Sequence, residues 1–422
     1  MSPAETYDVV VVGGGSAGIA AAVGAARNGA RTLLVERYGF LGGSATNASV
    51  LSYCGLFAQG TAIEPVVGGV GAELLDQLGR LGLDRRPIRS ASGNLIVMLD
   101  PEILKLALDR LVGSSGAELR LHASLVGAAT DGRRITGVTI QDHAGPCDIR
   151  ARAFVDASGE GDLAALTGAL VPAEAIAPGR HLQPASYPIR IGGVAPDVAF
   201  SKAVMSAAVA AYNATARFPI HRLSGGVGAR LPVSGDLWWL VADLETDGVS
   251  AASLTAAELQ GREMAFGLVE ALRAGAPGFD KAHIVSTGPQ VGIRQSRRVA
   301  ARESLSGAAA EQGLTRDDGI GRGGWPVEIH HGPGRIEFRN IGGKGYFDVP
   351  FGSLRAGNTD NLWLGGRLIG CDDIAFASVR VMGTAFATGH AAGLAAALQA
   401  AGTDDVAVGL LRSALSRQGA IL

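Results

Sequence analysis

The chain has 422 residues, of which 47% are apolar, enough for two or three domains or for one large cofactor domain with an inserted partner. Its 37 basic and 39 acidic residues are spread along the chain and give a formal net charge of −2, which argues against a surface for nucleic acid or anionic membrane. No uncharged apolar run approaches the roughly 20 residues of a bilayer span. The expected partner is therefore a small-molecule substrate, and homo-oligomerisation stays open.

The three cysteines, Cys54, Cys147 and Cys371, stand far apart and are odd in number. This pattern argues against a disulfide framework and fits a reducing compartment, which we predict to be the cytoplasm. Cys54 is expected to be a small buried side chain, although it could approach a cofactor. Because no H-x-x-x-H spacing or thiolate cluster occurs, no metal site is predicted.

The first predicted elements form a dinucleotide-binding unit rather than a signal peptide. A strand from Tyr7 to Val12 leads into GGGSAG, and an Ala-rich helix follows to Asn28. A second strand, Arg31 to Val35, ends on Glu36. The glycines would form the turn, admit the pyrophosphate and let helix and strand pack, while Glu36 would accept the ribose hydroxyls. The candidate contacts here are Gly13, Gly15, Ser16, Ala17, Gly18 and Glu36.

The segment ERYGFLGGSATNA, residues 36–48, continues directly from this unit. Its two adjacent glycines would let the backbone approach a cofactor, and its hydroxyl and amide side chains could donate hydrogen bonds. The glycine pattern alone does not separate FAD from NAD. The candidate contacts in this segment are Arg37, Gly42, Gly43, Ser44, Ala45 and Thr46.

The next predicted elements complete a cofactor domain. Asp100-Pro101-Glu102 is a strong helix start, and the helix runs to Gly113. Short strands follow at 118–122, 124–129, 135–141 and 148–150, as a β-meander. A strand over 152–156 then ends in small residues that let the chain pass close to a dinucleotide. The candidate contacts are Val126, Ala157, Ser158, Gly159 and Asp162.

Residues from about 170 to 345 differ in composition and pattern. They contain most of the prolines and have alternating runs typical of antiparallel strands. A capping box of Thr255 and Glu258 predicts a long helix that closes near Gly275. Arg294 and Arg298 stand four residues apart and would share a helix face. One of them could bind a substrate carboxylate, or both could pair with structural acids.

Candidates for a catalytic base are His330-His331 and Tyr346. Because adjacent residues of a strand point to opposite faces, at most one of the two histidines would face the site. His331 is the candidate.

The last segment predicts a strand over 361–364, a glycine turn containing Gly366 and Arg367, and a helix over 384–399. The helix N-terminus would place backbone N–H groups near a cofactor that becomes anionic when reduced. Arg380 would add a full positive charge, and Val381 and Met382 complete this set of candidates.

Four segments together resemble the FAD-dependent oxidoreductase family whose FAD domain is built like that of glutathione reductase. They are ERYGFLGGSATNA, PVVGGVGAELLDQL, AFVDASGEGDLAALTGA and NLWLGGRLIGCDDIAFASVRVMGTAFATGHAAGLAAA. The resemblance implies an α/β fold, bound FAD and redox chemistry at the isoalloxazine. It also implies a discontinuous Rossmann FAD domain, residues 1–50, 98–170 and 346–422. An α+β, mainly antiparallel substrate domain at 171–345 would be inserted, with 51–97 as a cap segment.

The sequence departs from this family where its members often carry two histidines, since Asp372-Asp373 stand there instead. Asp373, or its neighbour, is therefore a candidate proton acceptor. The Gly-Asp pair of aromatic hydroxylases is replaced by Gly365-Gly366-Arg367, which disfavours a monooxygenase. The expected function is a dehydrogenase or oxidase that moves hydride from a small polar substrate, with an acidic one as an option, to flavin N5. The alternatives are a C=C reductase fed by NAD(P)H or a protein partner, a monooxygenase, and a non-catalytic FAD-binding protein.

Overall fold

The computed structural model describes residues 5–90, 92–172 and 181–422. The strands are β1 (Glu5–Val12), β2 (Thr32–Val35), β3 (Ser52–Cys54), β4 (Ile88–Arg89), β5 (Leu95–Met98), β6 (Glu118–Arg120), β7 (Ser124–Asp131), β8 (Arg134–Asp142), β9 (Gly145–Asp156), β10 (Ala185–Gly192), β11 (Val227–Arg230), β12 (Leu237–Leu244), β13 (His283–Thr287), β14 (Gly319–Gly323), β15 (Val327–Gly332), β16 (Arg335–Arg339), β17 (Phe347–Pro350) and β18 (Leu362–Leu364). The α-helices are α1 (Ser16–Arg27), α2 (Ser44–Asn47), α3 (Val70–Arg80), α4 (Pro101–Gly113), α5 (Asp162–Leu166), α6 (Lys202–Asn213), α7 (Ala251–Gly275), α8 (Gly307–Gln312), α9 (Asp373–Val379), α10 (Met382–Ala400) and α11 (Val408–Arg417).

The largest sheet is mixed, with strand order β6-β2-β1-β9-β8-β7, and β18 also pairs with β9. The strands β6, β2, β1, β9 and β18 run parallel, whereas β7 and β8 are antiparallel neighbours. The two strands predicted at 148–150 and 152–156 are one strand, because the first half of β9 pairs with β8 and its last residues pair with β18. The fold is therefore a mixed α/β fold.

Helices α1 and α10 pack backbone to backbone on one face of this sheet. A Cβ added at Gly389 would lie 2.0 Å from Ala17 O, and one added at Gly393 would lie 2.0 Å from Ala21 O. Only glycine permits so close an approach. The contact joins the first helix to a helix more than 350 residues later in a single core.

Helix α10 is also the most apolar long element of the chain, and sixteen of its nineteen residues are buried. No single helix within the described ranges is long and apolar enough to cross a membrane. Helices α9 and α10, bent by 97° at their junction, reach that length and hydropathy only together.

A second core lies between Ala185 and Ile293. Here the antiparallel sheet β11-β12-β10-β13 is covered by α6 and α7. Residues from Leu305 to Val349 pack instead in the large core with α1 and α10.

Local signals placed one predicted helix cap correctly and another five residues late. The Asp100 side chain caps α4 by accepting from the Glu102 and Ile103 N–H groups, as the sequence predicts. Helix α7 instead begins at Ser250, whose hydroxyl accepts from Ser253 N. The predicted cap residue Glu258 lies inside the helix and accepts from the N–H of Val291.

The predicted helix around Arg294 is absent from this described segment. Its backbone groups pair with other chain segments, since Ser186 and Gly292 exchange two hydrogen bonds and Val171 N donates to Arg298 O. The segment is extended, and the shared helix face predicted for Arg294 and Arg298 was wrong.

Candidate active site

A cleft lies where β1 and β9 end and α1 begins, and the glycine turn forms its wall. Gly13 has φ +98°, and a Cβ there would meet Ala157 O at 2.6 Å. A Cβ at Gly18 would lie 1.7 Å from Gly13 O, so this glycine lets helix and strand pack, as predicted. At Gly15 φ is −79°, and the nearest atom to an added Cβ is Gly43 Cα at 3.7 Å. Only at Gly15, of these three, does the missing side chain leave room in the cleft.

Glu36 closes the turn from the other side. Its carboxylate accepts from the N–H groups of Gly14, at 2.6 Å, and Tyr38, at 3.0 Å. Burial raises its pKa, opposed by these two hydrogen bonds. Arg37 lies beside it on the cleft, 3.9 Å from carboxylate oxygens of both Glu160 and Asp162.

The segment after Glu36 divides into residues that line the cleft and residues that hold the loop. Gly43, Ser44 and Asn47 line the cleft. Thr46, predicted to contact the cofactor, instead donates to Leu41 O at 2.8 Å. The buried Ala45 and the turn residue Gly42 likewise support the loop rather than line the cleft.

The remaining predicted contacts mostly reach the cleft. Val126 does not, since its side chain is 51% exposed, and its neighbours Ala123 and Leu125 line the cleft because side chains alternate along an extended chain. Val381 lines the neighbouring cavity described below. Predicted residues that do line the cleft here are Ala157, Ser158, Gly159, Asp162, Gly366, Arg367, Arg380 and Met382.

The cleft fits a dinucleotide. The buried atoms Ser16 Oγ and Asn47 Oδ1, both on lining residues, have no hydrogen-bond partner among the described residues. Helix α1 has no side-chain cap, so its first N–H groups are available to an anion. These features, with the open space at Gly15, match the needs of a pyrophosphate and its ribose groups.

A second cavity of about 780 Å³ adjoins the cleft. The two share lining residues at the N-terminus of α10, and the cavity extends from there beneath the sheet β11-β12-β10-β13 and the hairpin β15–β16. The shared residues are Ser44, Ile293, Arg367, Arg380 and Met382. A flavin ring at the end of a dinucleotide in the cleft would face this cavity.

A buried acid–base cluster lines the cavity at this junction. Glu328 accepts from Trp325 Nε1 at 2.9 Å, lies 3.2 Å from His330 Nε2, and has Arg380 at 3.9 Å. Burial raises the pKa of Glu328, but the hydrogen bond from His330 and the charge of Arg380 outweigh it and lower this pKa to about 2. Burial and the charge of Arg294 lower the pKa of His330 to about 3. The cluster therefore holds an ionised glutamate and a neutral histidine at neutral pH.

Asp243 pairs with two further charged side chains of the cavity, Arg222 and Arg294. It accepts from Arg222 through both oxygens, at 2.6 and 2.8 Å, from Arg294 at 3.2 Å and from Gly334 N at 3.0 Å. Burial alone would raise its pKa, but the two arginines lower it to about 2. Burial in turn lowers the pKa of Arg294 to about 10. One carboxylate thus holds two buried guanidinium groups at the cavity wall.

Of the five predicted catalytic residues, Arg294 and Arg380 line the cavity. His331 does not line the cavity: its side chain is 48% exposed and contacts Glu337, whereas the buried His330 does line it. Tyr346 packs in the large core and lines neither cavity.

Asp373 also lies away from the site. It is the first residue of α9, its side chain is 58% exposed, and it pairs with Arg298 at 2.9 Å. Two roles were considered for Arg298, substrate binding and an ion pair with a structural acid. The structure contains the ion pair.

Sequence reasoning missed Glu328 and Arg222. Glu328 stands two residues before His330, and this spacing places both on one face of a strand, so a signal was present. Arg222 lies in a loop between α6 and β11 and carries no local pattern.

Cys54 lines the second cavity, 4.0 Å from Ser52 Oγ. Burial raises its pKa to about 12, so it is a protonated thiol at neutral pH.

Two buried histidines predict acid sensitivity of the fold. Burial lowers the pKa of His330 to about 3 and that of His390 to about 4, below the value near 6.5 of an unfolded chain. Between pH 6.5 and 4 the unfolded chain binds more protons, so the free energy of unfolding falls as the pH falls. At pH 5 the loss is on the order of 2 kcal/mol for each histidine.

Urea unfolding at pH 7.5, 6 and 5 measures this loss. Replacing His390, which contacts Gln418 Oε1 through Nε2, by glutamine is expected to remove about half of the pH dependence. His143→Gln, at an exposed position, is the matched control and should leave the dependence unchanged. An unaltered dependence in His390→Gln would contradict the assignment.

Comparison with known proteins gives a family and a fold. A sequence model described as FAD dependent oxidoreductase matches residues 8–415. Digeranylgeranylglycerophospholipid reductase of Thermoplasma acidophilum is 27% identical over 164 residues, 37% of this chain and 40% of the relative. The aligned part thus spans about two fifths of the length of this curated relative, and the same holds for its counterpart from Thermoplasma volcanium.

Among solved structures, a geranylgeranyl bacteriochlorophyll reductase-like protein of Thermoplasma acidophilum has a TM-score of 0.50 at 15% identity, over 98% of this chain and 83% of that one. BexE, studied for oxidation during BE-7585A biosynthesis, also has a TM-score of 0.50 at 15% identity, over 98% and 66% of the two chains. At these identities the likeness concerns the fold alone.

Proposed function

Because this chain belongs to the FAD dependent oxidoreductase family, we propose that it binds FAD in the cleft and oxidises a polar organic substrate in the adjoining cavity, as a dehydrogenase or oxidase. When bound, the flavin supplies a hydride acceptor at N5. The observation that supports this direction most is the Glu328–His330 pair at the junction of cleft and cavity. Oxidation of a C–OH or C–NH group needs a base there for the O–H or N–H proton.

The geometry orients His330 to accept a proton, but its pKa of about 3 makes the ring a weak base, so the transfer depends on the charge of Glu328. Its Nε2 lies against an ionised carboxylate, so the ring proton is held on Nε2 and Nδ1 is the acceptor. Nδ1 has no hydrogen-bond partner among the described residues. The proton from the substrate would move to Nδ1, and Glu328 would stabilise the imidazolium that forms.

Positive charge at the junction favours the reduced cofactor. Arg380 lies at the uncapped N-terminus of α10, and Met382 begins that helix. The side chain of Arg380 and the first N–H groups of α10 would stabilise negative charge on the reduced ring. We also infer that the FAD domain is of the glutathione-reductase type, since a Rossmann unit, a meander and the late strand β18 share one sheet.

Anaerobic flavin reduction tests the proposal. The purified yellow protein is mixed with hydroxy acids, alcohols and amines while the visible flavin absorbance is followed. A substrate that bleaches the flavin should do so on the order of 100-fold more slowly in His330→Asn. His331→Asn, the exposed neighbour on the same strand, is the matched control and should keep the wild-type rate.

A second candidate is reduction of a C=C bond with electrons from NAD(P)H or a protein partner. It is favoured by the apolar walls of the cavity and by the reductase names of the relatives. Bleaching by NAD(P)H alone, with no response to any oxidisable substrate, would replace the first proposal by this one. An equal rate in His330→Asn would remove His330 from either mechanism.

A further inference from the structure

The second cavity combines two arginine side chains with an apolar stretch of wall, and we propose that its substrate is an amphipathic carboxylate. The carboxylate would be held by Arg222 and Arg294, and an apolar chain of several carbons would extend to the mouth at Leu223 and Phe338. This inference rests on the proposed function, because it names the substrate class of the same site. A volume of about 780 Å³ is in the range of cavities that enclose a whole ligand of drug size.

Among the described residues, the pair Arg222 and Arg294 carries one positive charge more than the carboxylate in contact with both of them neutralises. Asp243 is the carboxylate that contacts both Arg222 and Arg294, and it also accepts from Gly334 N. Arg222 Nη1 and Arg294 Nη2 make no hydrogen bond within the described residues, although both side chains line the cavity. These two donors are therefore available to a ligand in the cavity, and a planar carboxylate matches the geometry of a guanidinium group.

The net charge of the described side chains along the whole cavity wall is also positive. The cationic side chains along the wall are Lys202, Arg222, Arg294, Arg367 and Arg380. Within the described ranges, three carboxylates contact these five side chains, those of Asp243, Glu328 and Glu160. A substrate anion is therefore favoured over a cation or a neutral alcohol.

Part of the cavity wall is apolar. Trp238 donates its only polar hydrogen to Ser49 O at 2.7 Å, so its ring presents an apolar surface, and Leu240 lies beside it on β12. At the mouth, Leu223 is 67% exposed and Phe338 is 44% exposed. An alkyl chain along this wall would remove these side chains from water.

The position of the arginines also fixes where the reaction takes place on the substrate. Ile293 lines both cleft and cavity, and Arg294 follows it directly. The carboxylate would thus lie close to the flavin, and the oxidised carbon would lie within a few bonds of it. A 2-hydroxy or 3-hydroxy acid with an apolar tail satisfies both conditions.

Equilibrium binding to the FAD-loaded protein tests the substrate class without turnover. Straight-chain carboxylates from butyrate to decanoate are titrated while the flavin absorbance spectrum is followed. Each added methylene should lower the Kd about fourfold until the chain passes the mouth. Octan-1-ol and octylamine, which match octanoate in length, should bind at least about 30-fold more weakly.

Two variants test the arginine contact and the apolar wall independently. Arg294→Met should weaken octanoate on the order of 30-fold, leave octan-1-ol unchanged and keep the chain-length dependence. In Phe338→Ser, methylenes that would reach residue 338 should no longer lower the Kd. The preference for the carboxylate over the alcohol should remain. Should Arg294→Met not fold, the wild-type ligand series still decides the matter.

Equal Kd values for octanoate and octan-1-ol, or a Kd independent of chain length, would overturn the inference. Because these titrations do not require flavin reduction, they can fail while His330→Asn still slows reduction. Conversely, tight octanoate binding with no effect of His330→Asn would contradict the proposed function alone.

Discussion

Replacing Gly15 by valine is expected to weaken FAD binding on the order of 100-fold while leaving the fold intact. Gly15 has an extended backbone with φ −79°, which valine adopts without strain. The nearest protein atom to an added Cβ is 3.7 Å away, so the new side chain would occupy the cleft rather than collide with the protein.

The expected loss follows from the contacts that the valine would block. A pyrophosphate kept away from the N-terminus of α1 would lose about two charge-assisted hydrogen bonds of roughly 1.5 kcal/mol each, which reduces affinity on the order of 100-fold. The purified variant should retain less FAD than the wild type and should need about 100-fold more added FAD for half-saturation, whereas its circular dichroism should match that of the wild-type apoprotein.

Gly113→Val is the matched control. This glycine ends α4 in open space, with no atom within 4 Å of an added Cβ, so the variant should stay yellow. A Gly15→Val protein that keeps a full complement of FAD would place the pyrophosphate elsewhere. Gly18 would not serve as a test, because a Cβ there overlaps Gly13 O and disturbs the fold itself.

Replacing Asp243 by alanine is expected to reduce the free energy of unfolding by about 3 to 5 kcal/mol. The change leaves Arg222 and Arg294 buried without their carboxylate and removes the acceptor of Gly334 N. The loop that carries Arg222 and the β15–β16 hairpin would also lose their common contact. Urea unfolding of the FAD-loaded protein at pH 7.5 measures the loss.

The double variant Asp243→Ala with Arg294→Met should recover part of this stability, because it removes one of the unpaired buried charges. Asp84→Ala, which breaks an exposed pair with Arg86, is the control and should leave the unfolding midpoint unchanged. A loss for Asp243→Ala no larger than that of the control would show that solvent, rather than Asp243, compensates the two arginines.

The parts of the fold that the sequence predicts well are those set by local signals. The glycine turn and Glu36 depend on contacts within one βαβ unit, and the Asp100 cap on hydrogen bonds within one helical turn. Such features are encoded within about 30 residues, and the dinucleotide-binding unit was therefore recognisable.

The second cavity was less predictable because its residues meet only through tertiary contacts. Whether His330 or His331 faces inward depends on which side of β15 packs against α9. The residues around the two histidines do not determine that side. The extended form of the Arg294 segment depends on hydrogen bonds with Ser186, more than 100 residues away. Arg222 reaches the site only because Asp243, on another element, binds it.

The contact between α1 and α10 has a consequence for the order of biosynthesis. The glycine turn emerges early from the ribosome, but Gly389 and Gly393 of α10, which cover α1, emerge more than 350 residues later. Until then the buried face of α1 lacks its cover, and the sheet lacks β18. We therefore expect the nascent chain to acquire FAD only once residues up to about 400 have been synthesised, so that cofactor uptake is a late step of maturation.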